Sequence, residues 1–411
     1  ITPGSYWDGD RKRQQYDAYE RTYEMSGREW LARECVDFCR LTITQHPHDH
    51  QQRAILGDFC AAQRIDMPEA CAPLGWLTVA ELWAAERARL LSPGWWGRQI
   101  AKRDRREGEQ RRIKAGAVRL YCSDTILEDM RESRARLRDW VNRADLHDTE
   151  TGESVPLSLV AAGSVSTPAI MRAELMTRIR GMADYARISG HACRFITITA
   201  PSKFHRNSRK WGMNAWPDFM GPVVPFEPTP REVQQYLCKC WARCRAALKR
   251  ADLPTYGVRI AEPHTDACPH WHLLMWFETT KQARAAVSII RRYFLATDGQ
   301  EKGAAHNRVK TITIQLTKPG KDGKDSGGAV GYVAKYLAKN IDGFSVADHH
   351  DRHGQTVTDG EDGSARVKSW AGCWGMRQFQ FFGPGLPPVG LWRELRRIRD
   401  GEAVPLSLYQ I

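Results

Sequence analysis

"YGVRIAEPHTDACPHWHLLMWF", residues 256–277, holds two apolar runs around a short polar stretch. Residues 256–262 alternate, and 270–277 are dense in aromatic and large aliphatic side chains, so both read as strands. The polar stretch between them supplies turn residues, which makes the pair an antiparallel hairpin. Side chains alternate along a strand, so His270 and His272 leave the same face. With the loop centred near Asp266, residue 262 lies opposite residue 270, and cross-strand partners share a face. Glu262 then joins His270 and His272 as a set of two imidazoles and one carboxylate suited to a divalent ion. His264 and Asp266 are further candidates for the third position. The competing reading is an edge strand with surface histidines. Against it, this pair opens a core strand and faces a carboxylate.

The pattern extends outward from the hairpin. "CRFITITA" (193–200) reads as a strand, and 229–251 as a helix with Thr229 as N-cap and Pro230 and Glu232 in its first turn. Residues 281–296 read as a helix, 308–317 as a strand, 318–328 as a Gly/Lys/Asp loop and 329–341 as a helix. The order β-α-β-β-α-β-α predicts an α+β fold: a central antiparallel sheet of split βαβ type with helices on one face. Residues 344–368 read as a polar surface insertion, 376–382 as one more strand and 391–401 as a basic closing helix. Before the sheet the chain reads as mostly helical, at 77–91, 95–114 and 169–190, with 148–158 as a polar joint. The expected regions are 1–185 (helical and basic), 186–345 (core) and 346–411 (insertion, strand and helix).

The chain has 411 residues and a formal net charge of +13, which favours a polyanionic partner such as nucleic acid. Within 95–114, Arg98, Lys102, Arg103, Arg105 and Arg106 follow Trp95 and Trp96, a pattern that grips phosphates and stacks bases, or else forms a solvated helix face. No apolar run approaches the roughly 18 residues of a membrane span, and no signal peptide is recognisable, so no membrane partner is expected. The first residue is Ile1, so the chain reads as a possible fragment. The 11 cysteines suit a reducing compartment. Cys35, Cys39, Cys60 and Cys71 have only a loose zinc-like spacing, and Cys238, Cys240 and Cys244 read as small buried side chains of a helix.

"GYVAKYLAKN" (331–340) repeats one pattern. On a helix, residues four apart differ by about 40° around the axis, so Tyr332 and Tyr336 share a face. Lys335 and Lys339 each follow a tyrosine by three residues. Val330, Val333, Leu337 and Ile341 form an apolar stripe, so an ordinary amphipathic helix competes with a site. A tyrosine hydroxyl is a poor nucleophile at neutral pH. It can attack a phosphodiester when a metal polarises the phosphate and nearby cations stabilise the developing charge. Two tyrosines permit two successive transfers.

These blocks in this order resemble the HUH endonucleases, and more closely the bacteriophage replication gene A protein family. "FITITAPSKFH" (195–205), "EPHTDACPHWHLLMWF" (262–277) and "GYVAKYLAKNIDG" (331–343) carry the resemblance. "RAELMTRIRG" (172–181), "WGMRQFQFFG" (374–383) and "PPVGLWRELRR" (387–397) add to it. The resemblance implies an HUH endonuclease core with an RRM-like sheet, and Mg²⁺ or Mn²⁺ as the ion. It implies nicking of one strand of single-stranded origin DNA, a 5′-phosphotyrosyl link and a free 3′-OH that primes a host polymerase. The second tyrosine then cuts again and rejoins the strand, in the cytoplasm of a bacterial host. "PGKDGKD" (319–325) lacks the last residue of a phosphate loop, so no nucleotide cofactor is expected and a host helicase would open the duplex. A double-tyrosine HUH transposase and a non-catalytic DNA-binding protein of the same fold are the alternatives.

Overall fold

Five strands form an antiparallel sheet: β1 (Ala192–Ile198), β2 (Tyr256–Pro263), β3 (Pro269–Phe277), β4 (Val309–Ile314) and β5 (Phe379–Phe382), in spatial order β5-β2-β3-β1-β4. They belong to a computed structural model. It describes residues 27–70, 78–118, 120–164, 167–205, 207–208, 212–213, 228–315, 331, 340–341, 349–350, 356–358, 360–383 and 393.

Every residue of β3 is buried, because the strand is covered on both faces. Trp271, Leu273, Met275 and Phe277 point to one side, where α7 (Pro230–Arg250) and α8 (Thr280–Phe294) pack with Leu237, Trp241, Ala286 and Ile290. Leu274 and Trp276 point to the other, together with Phe195, Val258 and Ile260, against α6 (Pro168–Ile188). Helices therefore lie on both faces, whereas the sequence pattern predicts one. The predicted helical region before the sheet supplies the second layer, through Leu175, Ile179 and Met182.

Helix α7 leads from β1 to β2 and α8 from β3 to β4, and in each case one strand lies between the two in the sheet. Both helices start with a complete capping box, Thr229 with Glu232 and Thr279 with Gln282, as the Thr-Pro-x-Glu signal of α7 predicts. On α7, Cys240 and Cys244 are buried, but Cys238 is exposed. Two residues of α-helix turn a side chain by about 200°, so Cys238 and Cys240 cannot share the buried stripe.

Two predicted loops are ordered otherwise. Within 148–158, the polar residues form the tip of a small hairpin that pairs Asp145–His147 with Ser154–Pro156. Within 344–368, the stretch from 360 begins α9 (Gly360–Trp374), which buries Val367, Trp370 and Trp374. Their spacing of three and four is a helical stripe, hidden in the sequence by the acidic and glycine-rich start of the helix. Helix α9 packs with α5 (Asp124–Arg143) through Ile126, Leu127 and Cys373. The predicted helix at 391–401 lies outside the described residues apart from Arg393, which pairs with Glu174 at 3.2 Å.

The contacts divide the chain into two units, 1–110 and 111–411. The contact boundary thus falls well before residue 185, where the predicted pattern turns from helices to strands. The first unit is built of α1 (Gly27–Gln45), α2 (Asp49–Ala62), α3 (Val79–Leu90) and most of α4 (Pro93–Ala115). Its core gathers Cys35, Cys39, Leu56, Cys60, Trp83, Leu90 and Trp96. Burial pushes the Cys35 and Cys60 thiols up to about 12 and raises Cys39 too, so these groups are neutral packing side chains. Cys71 lies outside the described residues. No helix among the described residues is long and apolar enough to cross a membrane.

Candidate metal centre

The β2–β3 hairpin places the predicted residues. Its turn closes with the Ala267 N–H donating to the His264 carbonyl at 2.9 Å, while the His264 N–H donates to Cys268 O at 2.7 Å. Ala267 carries a positive φ of 68°. This is a type I turn ending in a left-handed residue, the usual three-residue hairpin loop. The loop is thus centred on Asp266, and Glu262 stands opposite His270, as the symmetry of the sequence predicts. Glu262, His270 and His272 each offer a ligand atom, all within 4.8 Å of one another.

The distances fit a single ion. The two Nε2 atoms of His270 and His272 are 3.0 Å apart. Two donors at right angles, each about 2.1 Å from one octahedral ion, would lie about 3.0 Å apart. Glu262 Oε2 is 3.7 Å from His272 Nε2 and 4.0 Å from His270 Nε2. Imidazole nitrogens with a carboxylate suit a first-row divalent metal, and the ligand types alone do not choose among them.

A supporting shell fixes these side chains. Thr197 Oγ1 lies 3.1 Å from His272 Nδ1, leaving Nε2 to face His270, and the Phe195 ring stacks on the His272 imidazole with centroids 5.3 Å apart. Thr197 is the cross-strand partner of His272. The Asn340 side-chain amide donates to Glu262 Oε1 at 2.6 Å, and Gln378 donates to Asn340 Oδ1 at 2.9 Å. Such partners orient ligands and hold their tautomers. Thr197 was within reach of the sequence, because strand pairing sets its face. Asn340 and Gln378 were not, because no periodicity links them to Glu262.

At the hairpin tip, His264 packs on His270 with ring centroids 4.1 Å apart, and His205 meets His264 edge-on. His264 and Asp266 thus stand beside the triad rather than within it. Asp266 Oδ2 instead lies 2.9 Å from His205 Nδ1. Burial disfavours the charge on His205, yet the Cys268 sulfur and the Asp266 carboxylate overcome it and raise its pKa well above the ordinary value. Burial raises the Cys268 thiol, so at neutral pH the fixed charge facing His205 is that of Asp266. Burial also opposes the Asp266 carboxylate, but the facing imidazolium holds it at about 2. Trp370 of α9 donates its indole N–H to Ala267 O at 2.9 Å and anchors the turn from outside.

The remaining predicted residues fall elsewhere. Tyr332, Lys335, Tyr336 and Lys339 lie outside the described residues. Gly331, Asn340 and Ile341 on either side of them are helical, and Ile341 packs beneath the sheet. Trp95 and Trp96 are buried in the first unit, where Trp96 Nε1 donates to Leu90 O at 2.9 Å, so neither is a platform for bases. Tryptophan beside arginine is an equally good signature of a helix that turns its aromatic side inward. Of the basic residues beside them, Arg98 is exposed and Lys102, Arg103, Arg105 and Arg106 are half-buried.

Residues 37–344 match the family described as Bacteriophage replication gene A protein. The replication gene A protein of Escherichia phage P2 is 36% identical over 342 residues, which cover 80% of this chain and 42% of the phage protein. The replication protein of Haemophilus phage HP1 is 35% identical over 323 residues, 77% of this chain and 38% of that protein. A probable replication endonuclease from a prophage-like region of Shigella boydii serotype 4 is 32% identical over 321 residues, 77% of this chain and 37% of that protein. The chain spans about two fifths of the length of these relatives. No solved structure matches it.

Proposed function

The chain belongs to the bacteriophage replication gene A protein family, and from that premise we propose that it is a rolling-circle replication initiator, an HUH-type endonuclease and strand transferase acting on single-stranded origin DNA. The observation that carries this reading is the hydrogen bond from Asn340 to Glu262. Asn340 closes the stretch that holds both tyrosines, so that stretch ends on the carboxylate of the candidate metal centre. The interleaved strand order supports the HUH-type, RRM-like core that the reading requires.

In this proposal His270, His272 and Glu262 hold Mg²⁺ or Mn²⁺. When bound, the ion supplies Lewis-acid polarisation of the scissile phosphate. The hydroxyl of Tyr332 or Tyr336 attacks phosphorus and loses its proton, the bond to O3′ breaks, and the 3′ oxygen takes up a proton. The strand is left with a 5′-phosphotyrosyl link and a free 3′-OH that primes a host polymerase. Lys335 and Lys339 neutralise the developing charge. The second tyrosine repeats the attack at the regenerated origin, and the released 3′-OH then displaces the first tyrosine to close the strand. A host helicase opens the duplex, and the setting is the cytoplasm of an infected or lysogenic bacterium.

The test is a denaturing gel of the protein incubated with single-stranded origin DNA and Mn²⁺. A covalent adduct is expected with metal and none with chelator. The double variant Tyr332→Phe/Tyr336→Phe should abolish it, while each single variant keeps part of it. An adduct that survives the double substitution refutes the nucleophile assignment. A wild-type protein that makes none on any strand of its origin refutes the enzyme, and leaves a DNA-binding protein of the same fold.

A further inference from the structure

A cavity of about 750 Å³ opens between α5, α9 and the first turn of α6, and the proposed chemistry makes no use of it. Its walls carry Arg131, Arg134, Arg138 and Lys368, against the carboxylates of Glu132 and Glu361. Two of the nearby acids are already engaged. Asp362 pairs with Arg131 at 2.6 Å and with Arg366 at 2.9 Å, and Glu132 pairs with Arg136 at 3.4 Å. Among the described residues, Arg134 and Arg138 have no ion-pair partner. Burial, and then the charges of Arg131 and Arg138, disfavour the guanidinium of Arg134.

Two further features point the same way. Ser364 lines the cavity at 2% exposure, and its hydroxyl has no hydrogen-bond partner among the described residues. A buried hydroxyl left unbonded is costly, which marks it as a donor for something that enters. Pro168 on the rim is the first residue of the 21-residue helix α6, and the Thr167 side chain does not cap that end. Its hydroxyl donates backwards to Ala161 O and Ala162 O instead. The positive end of the helix dipole favours an anion there.

We propose that this cavity binds a phosphate group, and that in the working protein the phosphate belongs to the backbone of the DNA strand leading to the metal centre. Arg134 and Arg138 supply the charge, and Ser364 donates to a non-bridging oxygen. The assignment to DNA rests on the function proposed above; the anion site itself does not. Helix α9 links the two places. Ser364 lies six residues before Trp370, which holds the hairpin turn beside the triad. Six residues of helix rise about 9 Å.

The test uses the full chain and a fluorescent 30-nucleotide single strand in EDTA, so that binding is read without cutting. Affinity is measured as a function of salt for the wild type, Arg134→Gln/Arg138→Gln, Ser364→Ala and the control Arg143→Gln, whose residue lies on the same helix outside the cavity wall. Loss of that one phosphate contact should lower the log–log salt slope by about 0.7 and weaken binding by roughly fivefold at 0.1 M salt. Ser364→Ala should weaken binding with the slope unchanged, and Arg143→Gln should leave both near wild type. A parallel calorimetric titration with ATP distinguishes the source of the phosphate. If the double variant loses ATP binding but keeps DNA binding, the anion site stands and its assignment to DNA is overturned. If a folded double variant binds both ligands as the wild type does, or if Arg143→Gln weakens DNA binding as much per charge, the site is refuted. Adduct formation with Mn²⁺ is scored separately, so a failure of the nicking reading does not masquerade as a failure here.

Discussion

Asn340 is the residue on which the candidate centre turns. Its amide donates to Glu262 and is itself braced by Gln378. Replacing it with alanine removes the brace from a carboxylate that is 1% exposed. Outer-shell substitutions of this kind cost about 10–100-fold in metal affinity. Asn340→Ala should therefore weaken Mn²⁺ binding by that factor in a calorimetric titration while the protein stays folded; an unchanged affinity would show that Glu262 needs no brace or is no ligand. His205 and Asp266 make a second prediction. The depressed carboxyl contributes stability that is present above its ordinary pKa and lost as pH falls towards about 2. The raised imidazole contributes stability present below its ordinary pKa and lost as pH rises through the raised value. The pair is thus fully charged across the neutral range. An NMR titration should place the His205 midpoint above the ordinary histidine range, and Asp266→Asn should move it down towards that range. A wild-type ring that is neutral at pH 7 would contradict the pairing.

At the scale of elements, the sequence was most legible where one strand or one helix states its own pattern. The alternation of β1, the Thr229 cap of α7 and the symmetric hairpin loop are local, and the loop symmetry placed Glu262 opposite His270. Helix α9 was missed because its first turns are Gly360, Glu361, Asp362, Gly363 and Ser364, residues that by themselves read as loop. Its apolar stripe begins only at Val367, and what holds it is tertiary: burial against α5 and one indole hydrogen bond to the hairpin turn. That dependence is measurable. Trp370 is fully buried, so Trp370→Ala should cost about 3–5 kcal/mol in urea unfolding. Trp370→Phe keeps most of the packing and loses the bond to Ala267 O, a cost of about 1–2 kcal/mol. Equal losses for the two variants would mean that the indole N–H, not the ring, anchors the turn.

For the whole molecule, charge and composition pointed to a polyanion, but they did not show where one chain segment stops supporting another. The predicted pattern of elements changes near residue 185, whereas side-chain packing changes near 110, because the helices from 124 to 188 bury their apolar faces with the sheet and with α9. Residues 27–110 have a core of their own around Leu56 and Trp96, both fully buried. A core substitution there should be felt there. Leu56→Ala is expected to destabilise the first unit by about 2–5 kcal/mol. In hydrogen exchange read by mass spectrometry, peptides from α1, α2 and α3 should lose protection, while those from β1, β2 and β3 keep it. Exchange that rises equally in the sheet would mean that the two cores unfold as one cooperative body, and that the division at 110 is one of contacts and not of stability.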